Sequence, residues 1–502
     1  MATIRLGYPE SDERRKPAGM TRSVTPQLDS HREFISELLA EPAPAGLPRI
    51  AFRPEWPLSA DHRPAVRAGA AASATTEVER AASSLEASED SVHAYVYKDE
   101  QGARKAARTM DDRDPRGPLY GIPFGVKDVV DVSRMPCGCG SRLFRGQIPE
   151  ADAVVVTRLR AAGAIVLGKQ WAHELTCGLD EPPTRNPWRL DRYPGGSSAG
   201  GGVSVAVGSC GFALGTDAAG SVRIPAAMTG VVGLKPTYGL ISTDGVSKYA
   251  SAPSIDHMGI LAGTVGRAAA VLDVAAESAI GTIDGSVSGM RLGYLPTRSL
   301  ASLGATEAVI DAYSAAVSQL AELGAAVVDV DPPRIGLAPQ AVFTIFPVEL
   351  AAAHGSLIDR RPDDYTVAVR ELLQLGRAIP GSWYESAQRF RRTLSSTMAL
   401  AFESEQLDAL LTPTAPREAM PLADLDPGQD LAPLVAFTCP FNLTGQPAMS
   451  LPCGQVDGLP VGLQVVGRLL DERSVLRVGK AYESATNWHK RKPPITPVGQ
   501  GA

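Results

Sequence analysis

The chain has 502 residues, 44% of them hydrophobic and 21% charged, the balance of a globular protein large enough to bury an extensive core. A formal net charge of −6 argues against a nucleic-acid surface; the densest basic runs, Arg14-Arg15-Lys16 and His489-Lys490-Arg491-Lys492, sit near the termini and read as solvated tails. Six cysteines are too sparse for a disulfide framework, the first twenty residues lack an apolar stretch of signal length, and no run of about 18 apolar residues suggests a membrane span, so a cytoplasmic protein is expected.

Residues 1–90 read as a helical accessory region, with a helix over Gln27–Leu39 that stops at the turn-rich Glu41–Pro48. A second helix, from about Ala65 to Ala87, has few large apolar residues and is expected to pack on a larger body. From about residue 117 strands and helices alternate. Tyr120–Val126 is a predicted strand with Lys127-Asp128 at its end; Asp152 is placed to cap a helix carrying Val155, Leu159 and Ala162 on one face, and the strand Ala164–Leu167 follows. The order repeats in Leu292–Leu295, a helix around Glu307–Leu323, Gly324 at its C′ position and the strand Ala325–Val330. Ala448–Leu451 and Val461–Val466 flank a turn as a hairpin, and Asp471–Thr486 is helical. This alternation predicts an α/β layer fold with a mixed sheet.

The most unusual composition is Pro194-Gly-Gly-Ser-Ser-Ala-Gly-Gly-Gly202, followed by Gly215-Thr-Asp-Ala-Ala-Gly-Ser-Val-Arg-Ile-Pro225. A phosphate loop would need Lys-Ser/Thr after its glycines, where Val203-Ser204 stands, and a dinucleotide fingerprint would need a strand where Asp191–Pro194 is turn material. Metal binding fares no better. Cys137 and Cys139 have no second pair, and His173-Glu174 lacks the second histidine of a metalloprotease helix because Cys177 occupies that place. A serine nucleophile needs a base, and none of the seven histidines lies within these segments. Lysine is the alternative; it must be neutral, and burial in the apolar Gly121-Ile-Pro-Phe-Gly-Val-Lys127 would lower its pKa.

Together with Asn186-Pro-Trp188, Gly233-Leu-Lys-Pro-Thr237, Leu411-Thr-Pro-Thr-Ala-Pro416, Asn442-Leu-Thr-Gly-Gln-Pro-Ala448 and Gly458-Leu-Pro-Val-Gly-Leu-Gln464, these segments closely resemble the amidase signature family of serine hydrolases. The resemblance covers roughly residues 90–485. It implies one large mixed sheet flanked by helices over 91–490, with the N-terminal region outside it and 491–502 as a tail. Carried over by position, it makes Ser221 the nucleophile, Ser197 the bridging serine after a cis peptide and Lys127 the terminal base. The backbone N–H groups of Ala218, Ala219, Gly220 and Ser221 then form the oxyanion hole, Thr176 and Ser197 contact substrate, and Asp217 with Arg223 supports the nucleophile as an ion pair. Neither a metal nor an organic cofactor is implied.

The implied activity is hydrolysis of a C–N bond in a small amide, anilide, carbamate or hydrazide. Two departures bear on the substrate: Ala219 stands at a usual glycine, as in the branch that cleaves ureido compounds such as allophanate, and Cys137-Gly138 replaces two frequent threonines. A ureido hydrolase is therefore one alternative, and the A component of a tRNA-dependent amidotransferase another; the replaced threonines and long N-terminal extension weigh against the second. Pocket walls are expected from Ser133–Arg142, Trp171–Leu179, Phe343–Pro347, Ser382–Tyr384 and Phe437–Phe441. The expected partners are a small molecule and, through the N-terminal region, a second copy of the chain, with neither nucleic acid nor membrane.

Overall fold

Apolar runs too short to be helices become strands buried on both faces in the computed structural model, which describes residues 32–33, 35–36, 73–112, 117–179, 181–276 and 283–495. Eleven strands form one sheet: β1 (Tyr95–Lys98), β2 (Pro123–Lys127), β3 (Ile165–Gln170), β4 (Phe212–Asp217), β5 (Val232–Lys235), β6 (His257–Ala262), β7 (Arg291–Tyr294), β8 (Ala326–Asp329), β9 (Ala409–Pro413), β10 (Ala448–Val456) and β11 (Leu459–Val466). Their order is β1-β3-β2-β4-β6-β5-β10-β11-β9-β7-β8, with β2 parallel to both β3 and β4, β7 parallel to both β8 and β9, and the other pairs antiparallel. This is the single mixed sheet expected, and β10–β11 is the expected hairpin. Every residue of β2, β3 and β4 is buried, as strands covered on both faces must be.

The helices used below are α1 (Ala74–Val92), α2 (Glu100–Asp111), α3 (Val154–Ala161), α4 (Ala199–Val207), α5 (Arg223–Thr229), α6 (Glu307–Glu322), α7 (Ala338–His354), α8 (Val367–Ala378), α9 (Gly381–Ser404), α10 (Pro427–Val435) and α11 (Glu472–Ala485). In α6, Thr306 caps the start by accepting from the Val309 N–H, and Gly324 follows its end at φ 96°. Asp471 caps α11 in the same way, accepting from Ser474 N–H.

Two expectations shift. The helix placed at about 65–87 runs Ala74–Val92, because its buried stripe of Val78, Ala82, Leu85 and Val92 continues past residue 90 and packs with Ile165, Leu167 and Val203. The expected boundary at 90 thus falls inside α1. Asp152 does not cap α3: its carboxylate accepts from Ser133 N–H at 2.8 Å and pairs with Arg160 at 3.3 Å, leaving Ala153 at the N-cap without a side-chain bond. Of the helix expected at Gln27–Leu39, Arg32, Glu33, Ile35 and Ser36 are helical and the rest lies outside the described residues, as does the turn Glu41–Pro48.

Residues Ile335–His354 are long and apolar enough to cross a membrane by length and composition, but here α7 packs through Ala338, Ala341, Val342 and Ile345 into an apolar core that also holds Phe390 and Leu394 of α9.

Candidate active site

Because β2 and β4 are parallel neighbours in register at Val126↔Leu214, their C-terminal ends lie side by side at one edge of the sheet, where ligands of α/β folds usually bind. Lys127 ends β2, and Thr216 and Asp217 end β4. The Lys127 amine hydrogen-bonds Ser197 Oγ at 2.8 Å, Thr216 Oγ1 at 2.9 Å and the Thr216 carbonyl at 3.3 Å. The amine is buried; desolvation pushes it down to about 7, against the upward pull of Asp256 and Asp217. A large fraction of the side chain is thereby neutral near pH 7, as a base requires.

Ser197 precedes α4 and follows a cis Gly196–Ser197 peptide bond. It is held from below by the His173 N–H, which donates to the Ser197 carbonyl at 3.3 Å. The His173 ring is buried within reach of Tyr193 and the Gly178 carbonyl, and burial, with Lys127 adding to it, pushes its pKa down to about 4. A neutral imidazole therefore backs this peptide. The next residue reaches the turn that bears Ser221: Ser198 N–H donates to the Ser221 carbonyl at 3.2 Å, and its hydroxyl donates to the Thr216 carbonyl at 3.3 Å.

The turn between β4 and α5 carries Ser221, and a buried carboxylate shapes it. Asp217 accepts from the Gly220 N–H at 2.8 Å, the Val222 N–H at 3.1 Å and the Asn442 amide at 2.9 Å, and it binds Arg223 through Nε at 3.0 Å and Nη2 at 2.7 Å. Burial raises the Asp217 pKa, yet Arg223 and Asn442 outweigh it and hold the carboxyl well below the usual range. Arg223 spends its remaining donors on the Thr438 carbonyl and Gln464 Oε1, each at 2.8 Å, and on Asn442 Oδ1 at 2.6 Å. The ion pair expected from sequence is present, fully buried and satisfied on both sides.

The four N–H groups expected to form an oxyanion hole differ in their partners. The Gly220 N–H is committed to Asp217, whereas those of Ala218, Ala219 and Ser221 make no hydrogen bond among the described residues. Gly220 is required for another reason: its φ is 134°, and a Cβ there would strike Thr438 Oγ1 and come within 2.6 Å of Ile224 Cδ1. Ala219 is not among the positive-φ residues, so an alanine at that place costs no backbone strain.

Ser197, Ser221, Ala218 and Ala219 open onto a cavity of about 260 Å³. Its other walls are Thr176, Cys177, Gly178 and Tyr193 on one stretch, Val342, Phe343, Phe346 and Pro347 from α7, Val369, Leu372 and Leu375 from α8, and Leu431, Leu434 and Val435 from α10. Thr176 lines the cavity as expected, although its hydroxyl donates to the Ala250 carbonyl at 3.1 Å. Three segments expected in the walls, 133–142, 382–384 and 437–441, contribute no residue to the lining. The first instead wraps Asp128, whose carboxylate accepts from Gly138 N–H at 3.2 Å and whose carbonyl accepts from Cys139 N–H at 2.9 Å, and it leaves Arg134 and Arg142 exposed. Trp383 and Phe441 pack into the same apolar core as α7.

Sequence reasoning missed the walls from α8 and α10, as well as Thr216 beside Lys127. Thr216 stood in plain view one residue before Asp217 in a segment already singled out; the helices carried no such signal. Among the described residues no group of three or more His, Cys, Asp or Glu could hold a metal ion.

The family model "Amidase" matches residues 77–476. The A component of the glutamyl-tRNA(Gln) amidotransferase of Roseiflexus castenholzii is 35% identical over an alignment of 461 positions that covers 83% of this chain and 93% of that protein. A crystal structure of an amidase superposes with a TM-score of 0.76 at 32% identity, covering 82% of this chain and 96% of that one. The peptide amidase of Stenotrophomonas maltophilia superposes with a TM-score of 0.71 at 30% identity, covering 84% and 95%.

Proposed function

Since this chain belongs to the amidase family and is an amide-cleaving hydrolase, we propose that it cleaves the C–N bond of a small amide, anilide, carbamate or hydrazide through an acyl-enzyme on Ser221. The observation that carries the reading is the contact between a buried, largely neutral Lys127 and Ser197, at 2.8 Å, beside the turn that presents Ser221. Ser197 takes the Ser221 proton while passing its own to Lys127, and Ser221 Oγ attacks the substrate carbonyl. The N–H groups of Ala218, Ala219 and Ser221 receive the negative oxygen; one such donor is typically worth about 3–4 kcal/mol of barrier. The proton returns along the same path to the leaving nitrogen, and water then attacks the ester and releases the acid. No step calls for a metal or organic cofactor.

The alternative readings differ in the charge they ask the cavity to accept. Glutamine, the substrate of the A component of a tRNA-dependent amidotransferase, carries a carboxylate, and so does allophanate. Among the described residues no Lys or Arg lines the cavity, so a bound carboxylate would lose water without gaining a partner. The names of the curated relatives favour the amidotransferase; the wall chemistry favours a substrate without a carboxylate.

Covalent labelling tests the nucleophile. Phenylmethylsulfonyl fluoride should leave its adduct on Ser221 by mass spectrometry, and Ser221→Ala should abolish turnover of every amide in a substrate panel with the fold intact. An adduct on Ser197 or Ser198 with Ser221 unmodified would overturn the assignment.

A further inference from the structure

Among the described residues that line the cavity, one side chain is charged. Glu371, on α8 beside Leu372, is half-buried at the lining and forms no hydrogen bond or ion pair with any described residue. The cation next to it in sequence, Arg370, faces Asp363 at 3.9 Å instead. Phe343, Phe346, Leu375 and Leu431 line the same cavity, and none of them can donate a hydrogen bond from its side chain. Water satisfies the carboxylate while the cavity is empty. A substrate that fills the cavity displaces water from the inward side of the carboxylate, and a complementary charge on the occupant offsets that loss.

We propose that Glu371 is a specificity-determining residue that pairs with a protonated amine on the substrate, separate from the amide that Ser221 attacks. The preferred substrates are then amides of ω-amino acids or monoamides of aliphatic diamines. This rests on the reading of the site as an amidase and names the substrate class within it.

Two matched pairs of compounds test it: 6-aminohexanoyl against heptanoyl p-nitroanilide, for an amine in the acyl group, and N-(5-aminopentyl)hexanamide against N-hexylhexanamide, for an amine in the leaving group. Wild-type kcat/KM should favour the ammonium member of at least one pair by about tenfold or more, and Glu371→Gln should shrink that ratio below about threefold. Affinities of the same four compounds for Ser221→Ala, with and without Glu371→Gln, read the same ratio without turnover. Ratios near one in both pairs, or a preference that survives Glu371→Gln, would overturn the proposal. If no compound is hydrolysed and Ser221 takes no sulfonyl label, the amidase reading fails, while the binding ratios still decide the role of Glu371.

Discussion

Lys127 forms a cation only with difficulty, since its amine is buried among two threonine oxygens and a serine hydroxyl, and Asp256 and Asp217 act through space rather than by contact. Activity and stability respond to this burial with opposite signs. For activity, the base must be unprotonated, so kcat/KM on a neutral amide should rise with pH through about 7 and level off above it. Lys127→Ala should cost roughly 10³-fold or more in kcat, because members of a proton relay act as a unit. For stability, a folded-state value near 7 against an ordinary 10.5 means that the unfolded chain binds the extra proton between those limits. The destabilisation is complete below about 7 and fades as pH climbs towards 10.5. Lys127→Met should therefore be inactive yet more resistant to urea than wild type at pH 7, with the gain shrinking at pH 10. A flat pH–rate profile, or an alanine variant retaining more than about a tenth of wild-type kcat, would remove Lys127 from the mechanism.

At the scale of the elements, the cavity depends on how closely α7 and α8 approach. Pro347 interrupts α7 from inside, and Gly376 of α8 sits against its carbonyl; a Cβ at 376 would drive into the Pro347 oxygen and crowd the Ala351 methyl at 2.9 Å. Gly376→Ala should cost about 1–3 kcal/mol in urea unfolding, the usual range for overpacking. Since the displaced helices carry Phe346, Leu372 and Leu375 on the cavity wall, KM should change more than kcat. Unchanged stability together with unchanged KM would show that the two helices do not set the wall. This contact also explains what could not be read from sequence. Lys127, Ser197, Ser221 and the Asp217–Arg223 pair stood in compact segments whose residue types are dictated by the reaction and the turn. Val369, Leu372 and Leu375 recur at ordinary helical spacing and become a wall through the approach of α8 to α7, which Gly376 permits beside the Pro347 carbonyl. Asp152 was legible as a cap from local pattern, and the distant Ser133 N–H claimed it instead.

Taken as a whole, the molecule keeps its chemistry and its selectivity on different stretches of chain. Residues 127–223 hold the proposed relay and the turn that bears Ser221, while most of the walls come from α7, α8 and α10. The net charge of −6 and the cation-free described lining both oppose an anionic substrate. Neutral amides, anilides or carbamates should exceed allophanate in kcat/KM by roughly 100-fold or more, given the several kcal/mol that an unpaired buried carboxylate costs. Assaying both classes with one enzyme preparation decides it, and a preference for allophanate would mean that Ala219 had marked the substrate branch. The turn that bears Ser221 has a further dependence, through Arg223, on Thr438, Asn442 and Gln464. Until the chain beyond residue 464 has been made, Arg223 lacks these three acceptors, and only the local contacts with Asp217 hold the turn. A nascent polypeptide therefore carries the turn of the proposed nucleophile without its full set of supports until the last hairpin has been made.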